Sequence, residues 1–148
     1  MMKPKTNTAL ILMKLLEALC LLSSVILCFF PTIMHLAICI DIFNLNLFKS
    51  EKNSWQILFI GIVSMISYGS QVIRLFQILR NKTSLPITIG IIIAWLFYFT
   101  ILVYSLFEYS LKVTVVELMA YIIPVLATSI SLSTIYARRK RQASARSN

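Results

Sequence analysis

Acidic side chains are scarce in this sequence: Asp and Glu number five against fourteen Lys and Arg, and His35 is the single histidine. One histidine rules out metal sites that need several, and no carboxylates pair at a spacing useful for general acid and base work. Cysteine is limited to Cys20, Cys28 and Cys39, an odd number with no CxxC or Cys/His spacing. Neither a disulfide framework nor a metal site follows, and the three read as small buried hydrophobes. No motif supports catalysis, so neither an enzyme nor a cofactor is expected. Charged residues make up only 13% of the chain, about half the share of a soluble domain.

What fills the chain instead is apolar: 59% of residues are hydrophobic and the mean hydropathy is +0.86. That excess has to face lipid, which predicts an all-α integral membrane protein. The net charge of +9 would raise the question of nucleic acid in a soluble protein. Here much of it lies in Arg74, Arg80, Lys82 and the run Arg138 to Arg141, beside apolar segments. Basic flanks of this kind report orientation in a membrane, and no nucleic-acid partner is expected.

Along the chain, Ala9 to Phe30 is apolar apart from Lys14, Glu17, Ser23 and Ser24, and is long enough to span. Lys14 and Glu17 stand three residues apart, on one helical face, where they can neutralise each other. These two charges, and the bulky residues before Pro31, argue against a cleaved signal peptide. Pro31 to Phe48 holds His35, Asp41, Asn44 and Asn46 and is barely long enough to cross. Pro31 suits the first turn of a helix, and this piece reads as a short span, a re-entrant segment or a helix lying on the membrane.

Three regular spans follow, at Trp55 to Leu79, Ile87 to Phe107 and about Val113 to Tyr136. In the first, Gly61, Gly69 and several serines predict close packing on protein, and Arg74 is placed to snorkel toward the headgroups. Residues 81–86 read as a turn. Pro124 lies near the middle of the last span, where it removes a backbone bond and predicts a kink. The Ser-rich basic tail after Tyr136 reads as disordered. The chain thus divides into an N-terminal hydrophobic region at 1–54, three spans at 55–137 and a basic tail at 138–148.

Basic residues after the first and third of these spans place both ends, and so the C-terminus, in the cytoplasm of a plasma or bacterial inner membrane. Lys3 and Lys5 join them if the N-terminal region crosses once. One crossing gives four spans and two give five; the charge rule favours four.

The stretch Ser67, Ser70-Gln71, Arg74, Arg80, Lys82-Thr83 and Pro86-Ile87-Thr88 resembles the PQ-loop families, the SemiSWEET and SWEET sugar transporters among them. Trp95 and Tyr98 look like the W-x-x-Y of that family's second helix. The resemblance covers Gln56 to Lys140, with Ser70 standing where the motif has its hinge proline. It implies a three-helix bundle preceded by one or two extra helices, acting as a homodimer that moves a small, sugar-like solute by alternating access. Ser67, Gln71, Trp95 and Tyr98 would then bind substrate, with Gly69, Ser70 and Pro124 as hinge positions. Asp41 and Glu117, ionisable groups in apolar segments, are candidates for proton coupling. The alternative is a membrane adaptor or receptor that does not transport, its N-terminal helix filling the would-be pocket.

Overall fold

The computed structural model describes residues 5–44, 54–80, 82–108 and 115–146. They form four α-helices: α1 Lys5–Asn44, α2 Ser54–Leu79, α3 Leu85–Glu108 and α4 Val115–Arg146, with no strand among the described residues. Each is long and apolar enough to cross a bilayer, over Ile11–Ile40, Trp55–Leu79, Leu85–Phe107 and Met119–Lys140. The architecture is therefore that of an all-helical membrane protein.

Two boundaries differ from the sequence reading. Pro31 does not begin a new segment but lies inside α1, which runs unbroken to Asn44. In lipid a broken helix exposes backbone groups that water cannot satisfy, so one missing bond at a proline costs less than a change of direction. The apolar part of α1 is 30 residues long, about 45 Å at the α-helical rise against a hydrocarbon core of about 30 Å. It must tilt or stand clear of the core at one end. At the other terminus, α4 continues through Arg138-Arg139-Lys140 to Arg146 instead of ending at Tyr136. Arg, Lys, Gln and Ala are good helix formers, and an existing helix extends without a new nucleation cost.

The helices close into a ring, with α1 packed on α2 and α4, and α3 likewise packed on α2 and α4. Neighbours run antiparallel. Between α1 and α2, Glu17 meets Arg74, Ser24 meets Gln71 and His35 meets Ser64, so contacts move inversely along the two helices. Between α3 and α4, Trp95 meets Ser129 and Thr88 meets Arg139. The α1 N-terminus, the α2 to α3 turn and the α4 C-terminus therefore share one end, and with them Arg80, Lys82, Arg138, Arg139 and Lys140. We call this the basic end and the opposite one the loop end.

The outside of the ring is apolar, and the inside holds polar side chains among apolar ones such as Leu21, Ile91 and Ala127. Glu17, Ser24, Ser64, Ser67, Gln71, Arg74, Thr88, Thr128, Ser131 and Thr134 are buried, while Phe30, Phe59, Phe76, Leu79 and Phe107 are more than half exposed. A soluble bundle does the reverse; surrounded by lipid tails, apolar side chains gain nothing by turning inward. Small residues then set how closely helices approach. A Cβ placed on Gly90 of α3 would come within 2.7 Å of the Ser70 Cβ on α2, whereas one placed on Gly69 would meet nothing within 4 Å.

This contrast is directly measurable. Gly90→Ala should destabilise the protein by about 1–3 kcal/mol through overpacking, while Gly69→Ala should be neutral or stabilise it by about 0.5–1 kcal/mol because alanine orders the helix more cheaply. Unfolding in detergent reads both, and equal effects of the two substitutions would contradict the α2 to α3 packing.

Candidate functional site: a polar interior with a cavity at the loop end

Nearest the basic end, Arg74 of α2 and Glu17 of α1 are both fully buried, with Arg74 Nη2 2.6 Å from Glu17 Oε1 and Arg74 Nε donating to the same oxygen at 2.8 Å. Nη2 also donates to Thr134 Oγ1 of α4 at 3.3 Å, and Nη1 reaches the Lys82 carbonyl at 3.5 Å. Arg74 thus ties three helices and the α2 to α3 turn together, and it does not snorkel. The reason is charge: a carboxylate one helix away compensates the guanidinium better than the long path to the headgroups. Glu17 is matched across helices, a pairing that its spacing from Lys14 does not announce. Glu17 Oε2 remains buried without a hydrogen-bond partner.

One step further along, Ser24 of α1 donates to Gln71 Oε1 of α2 at 2.5 Å. Gln71 Nε2 is buried and unpartnered, and so is the hydroxyl of Tyr98 on α3. That hydroxyl lies beside Cys28 and Gln71 without forming a well-aligned hydrogen bond. Ser67 is fully buried but spends its hydroxyl on the Val63 carbonyl at 2.7 Å, and Ser70 donates to the Ser67 carbonyl at 2.9 Å. Of the four residues expected to bind solute, Gln71 and Tyr98 converge, and Ser67 lies on the same inner face.

Trp95 points elsewhere. Its indole N–H donates to Ser129 Oγ of α4 at 2.8 Å, and its ring stacks on Phe99 with centroids 5.1 Å apart. Three residues advance a helix by about 300°, so Trp95 and Tyr98 stand about 60° apart around α3. One ring falls on the α3 to α4 seam and the other in the interior.

Toward the loop end the polar interior opens into a cavity of about 400 Å³. Its wall includes Thr32 and His35 of α1, Ser64 of α2, Tyr98 of α3 and Tyr121 of α4. His35 Nδ1 and Ser64 Oγ lie 3.1 Å apart, and Cys28 and Tyr98 form the inner limit, packed with Ala94 and backed by Tyr68, Phe97 and Val125. No Lys, Arg, Asp or Glu is found among the described residues of this wall.

The hinge candidates are distributed unevenly. Pro124 is fully buried within a continuous α4, Ser70 is buried against Gly90, and Gly69 is half-buried beside open space. The side chains of Asp41 and Glu117 lie outside the described residues. Glu17, Ser24, Cys28, His35, Thr128, Ser131 and Thr134 are interior residues that the sequence reading did not single out as a site. A usable signal was present: in α1, Glu17, Leu21, Ser24, Cys28, His35 and Cys39 recur at helical spacing and mark one face.

Removing one partner of a buried ion pair strands the other charge. Arg74→Met or Glu17→Met alone should therefore cost about 3–5 kcal/mol of stability, and the double substitution should recover most of it. Unfolding measurements on the four proteins of this cycle test the pairing, and additive losses would show that the two charges are not coupled.

No protein-family model matches the chain, nor does any curated protein or solved structure.

Proposed function

We propose that this protein moves a small neutral solute across the membrane, with the solute site inside the bundle of a single chain. The observation that carries this reading is the cavity of about 400 Å³ toward the loop end, lined by Cys28 and Tyr98, with Gln71 Nε2 and the Tyr98 hydroxyl buried side by side without a well-aligned hydrogen bond. Buried polar groups left unpaired are costly, and a solute that pairs with them recovers that cost. Beyond them the Glu17 to Arg74 pair closes the interior toward the basic end. A cavity toward one end, with the buried ion pair between it and the other, fits one half of an alternating-access cycle.

The resemblance of Ser67 to Thr88 to the PQ-loop families supports the same reading, with one change of parts. In that family a second bundle completes the pocket; here α1 lies between α2 and α4 and supplies Ser24, Cys28 and His35 to the interior. One copy thus lines the cavity, and a dimer is not needed to form it. Pro31 and Pro124 lie in the two helices that flank this site, where a missing backbone bond lowers the cost of bending. By the positive-inside rule the basic end is cytoplasmic, so the cavity lies nearer the outer face.

A second reading, an adaptor that does not transport, is favoured by a single observation: the buried ion pair pins α1 to α2 and α4, which resists the rearrangement that transport requires. The two separate in proteoliposomes challenged with labelled sugars, amino acids and amides. A transporter gives saturable uptake of at least one tracer, and Gln71→Leu should lower it about tenfold, the equivalent of about 1.4 kcal/mol, in protein that still folds. Folded wild-type protein that moves none of the panel would instead support the adaptor.

A further inference from the structure

We infer that the loop-end cavity is an acceptor-rich site for a compact neutral solute with an apolar body and one or two N–H donors, primary amides and ring N–H compounds being the chemical class. This rests on the reading of that cavity as the solute site and adds what its wall recognises.

Two prolines give the first indication. Proline has no N–H, so the carbonyl four residues before it loses its helical donor. Pro31 takes the donor from Leu27 of α1, and Pro124 takes it from Ala120 of α4; Leu27 and Ala120 both belong to the wall of this one cavity. The neighbouring hydroxyls do not replace what is lost. Thr32 Oγ1 donates to the Cys28 carbonyl at 2.7 Å, and Thr128 Oγ1 has its single proton within reach of the Pro124 and Val125 carbonyls at 2.8 and 3.1 Å. A carbonyl without a donor is expensive inside a membrane. Leu27 and Ala120, on different helices, both line this cavity, and the helical donor that each loses favours a ligand that brings donors.

Tyr98 supplies the second. It is 7% exposed, it lines the cavity, and its hydroxyl, beside Cys28 and Gln71, forms no well-aligned hydrogen bond. A phenolic hydroxyl both donates and accepts, so it suits the carbonyl and the N–H of an amide equally.

Charge and polarity narrow the class further. The described wall carries no formally charged Lys, Arg, Asp or Glu, and the buried ions Glu17 and Arg74 satisfy each other toward the basic end. Among the described residues of the wall a charged solute finds no formally charged counter-ion to offset its lost hydration. Phe97, Tyr98 and Tyr121 give the wall aromatic faces, with Leu27 and Ile101 beside them. A sugar would bring more hydroxyls than these few polar groups can pair. A volume of about 400 Å³ lies toward the small end of ligand sites, which suits a single ring with one amide.

The test uses the full chain with Cys20→Ala and Cys39→Ala, so that Cys28 is the one thiol, and labelled benzamide as the probe. Benzamide should bind saturably and slow the reaction of Cys28 with methyl methanethiosulfonate by at least about fivefold, while toluene, benzylammonium, benzoate and glucose at equal concentration change the rate by less than about twofold. Pro31→Ala and Pro124→Ala each return a backbone N–H to the helix, and each should weaken benzamide binding by about tenfold without loss of folding, as expected for one hydrogen bond withdrawn from a buried site. Unchanged affinity in both proline variants overturns the inference. So does equal protection by toluene, tighter binding of benzylammonium, benzoate or glucose, or no binding of benzamide. Benzamide binding that weakens in the proline variants, in protein that moves no tracer, sustains the site and removes transport. Uptake of another tracer with no benzamide binding keeps transport and removes this inference.

Discussion

The structure depends on one buried pair of charges. Glu17 and Arg74 are fully enclosed, and neither could be held in a lipid-surrounded bundle alone, since an uncompensated ion there costs several kcal/mol. Their contact fixes where α1 lies on α2. Through Thr134 and the Lys82 carbonyl, Arg74 extends that constraint to α4 and to the basic-end turn. A pair of this kind adds little net stability compared with well-packed apolar side chains. What it contributes is register: sliding α1 by one residue would turn Glu17 toward lipid and leave Arg74 without its carboxylate.

The rest of the interior follows from the same inversion of polarity. Apolar side chains gain nothing by leaving lipid for protein, so the helices bring together what lipid rejects: hydroxyls, an amide, a histidine and two ions. Most of the hydroxyls spend themselves on carbonyls of their own helix, as Ser67 does on Val63 and Ser129 on Val125. The groups left over are few. Glu17 Oε2, Gln71 Nε2, Tyr98 Oη and Ser131 Oγ are all buried without partners. Such groups give the interior a capacity for polar ligands that a fully satisfied core lacks.

Much of this architecture was legible in the sequence. Segment length and hydropathy gave the spans of α2, α3 and most of α4, and the basic flanks gave the shared end, because both signals are local and a bilayer enforces them strictly. Pro31 misled because its soluble-protein meaning, a helix start, yields in lipid to the need to keep backbone bonds closed. The basic tail misled because charge hides helix propensity: Arg138 to Arg146 reads as solvated chain yet simply continues α4. Gln71 and Tyr98 were legible as interior residues. Trp95 was not separable from Tyr98 by spacing alone, and its engagement with Ser129 is a tertiary fact. The pairing of Glu17 with Arg74 was the least accessible, because 57 residues separate them and Lys14 offered a nearer partner of the right sign.

These features place a cavity toward the loop end of a single chain and a buried ion pair toward its basic end, and transport requires that the cavity be reachable from the loop end. Thiol labelling from one side of the membrane measures that most directly. In sealed vesicles with the loop end outward, single-cysteine proteins carrying the native Cys28, His35→Cys or Ser131→Cys are exposed to a small membrane-impermeant methanethiosulfonate. The account predicts rapid reaction at position 35, slower reaction at 28 and none at 131, which is fully buried one turn from the Thr134 contact with Arg74. Equal reaction at all three positions would show an open pore, and reaction at none would show that no aqueous cavity exists; either result contradicts the account.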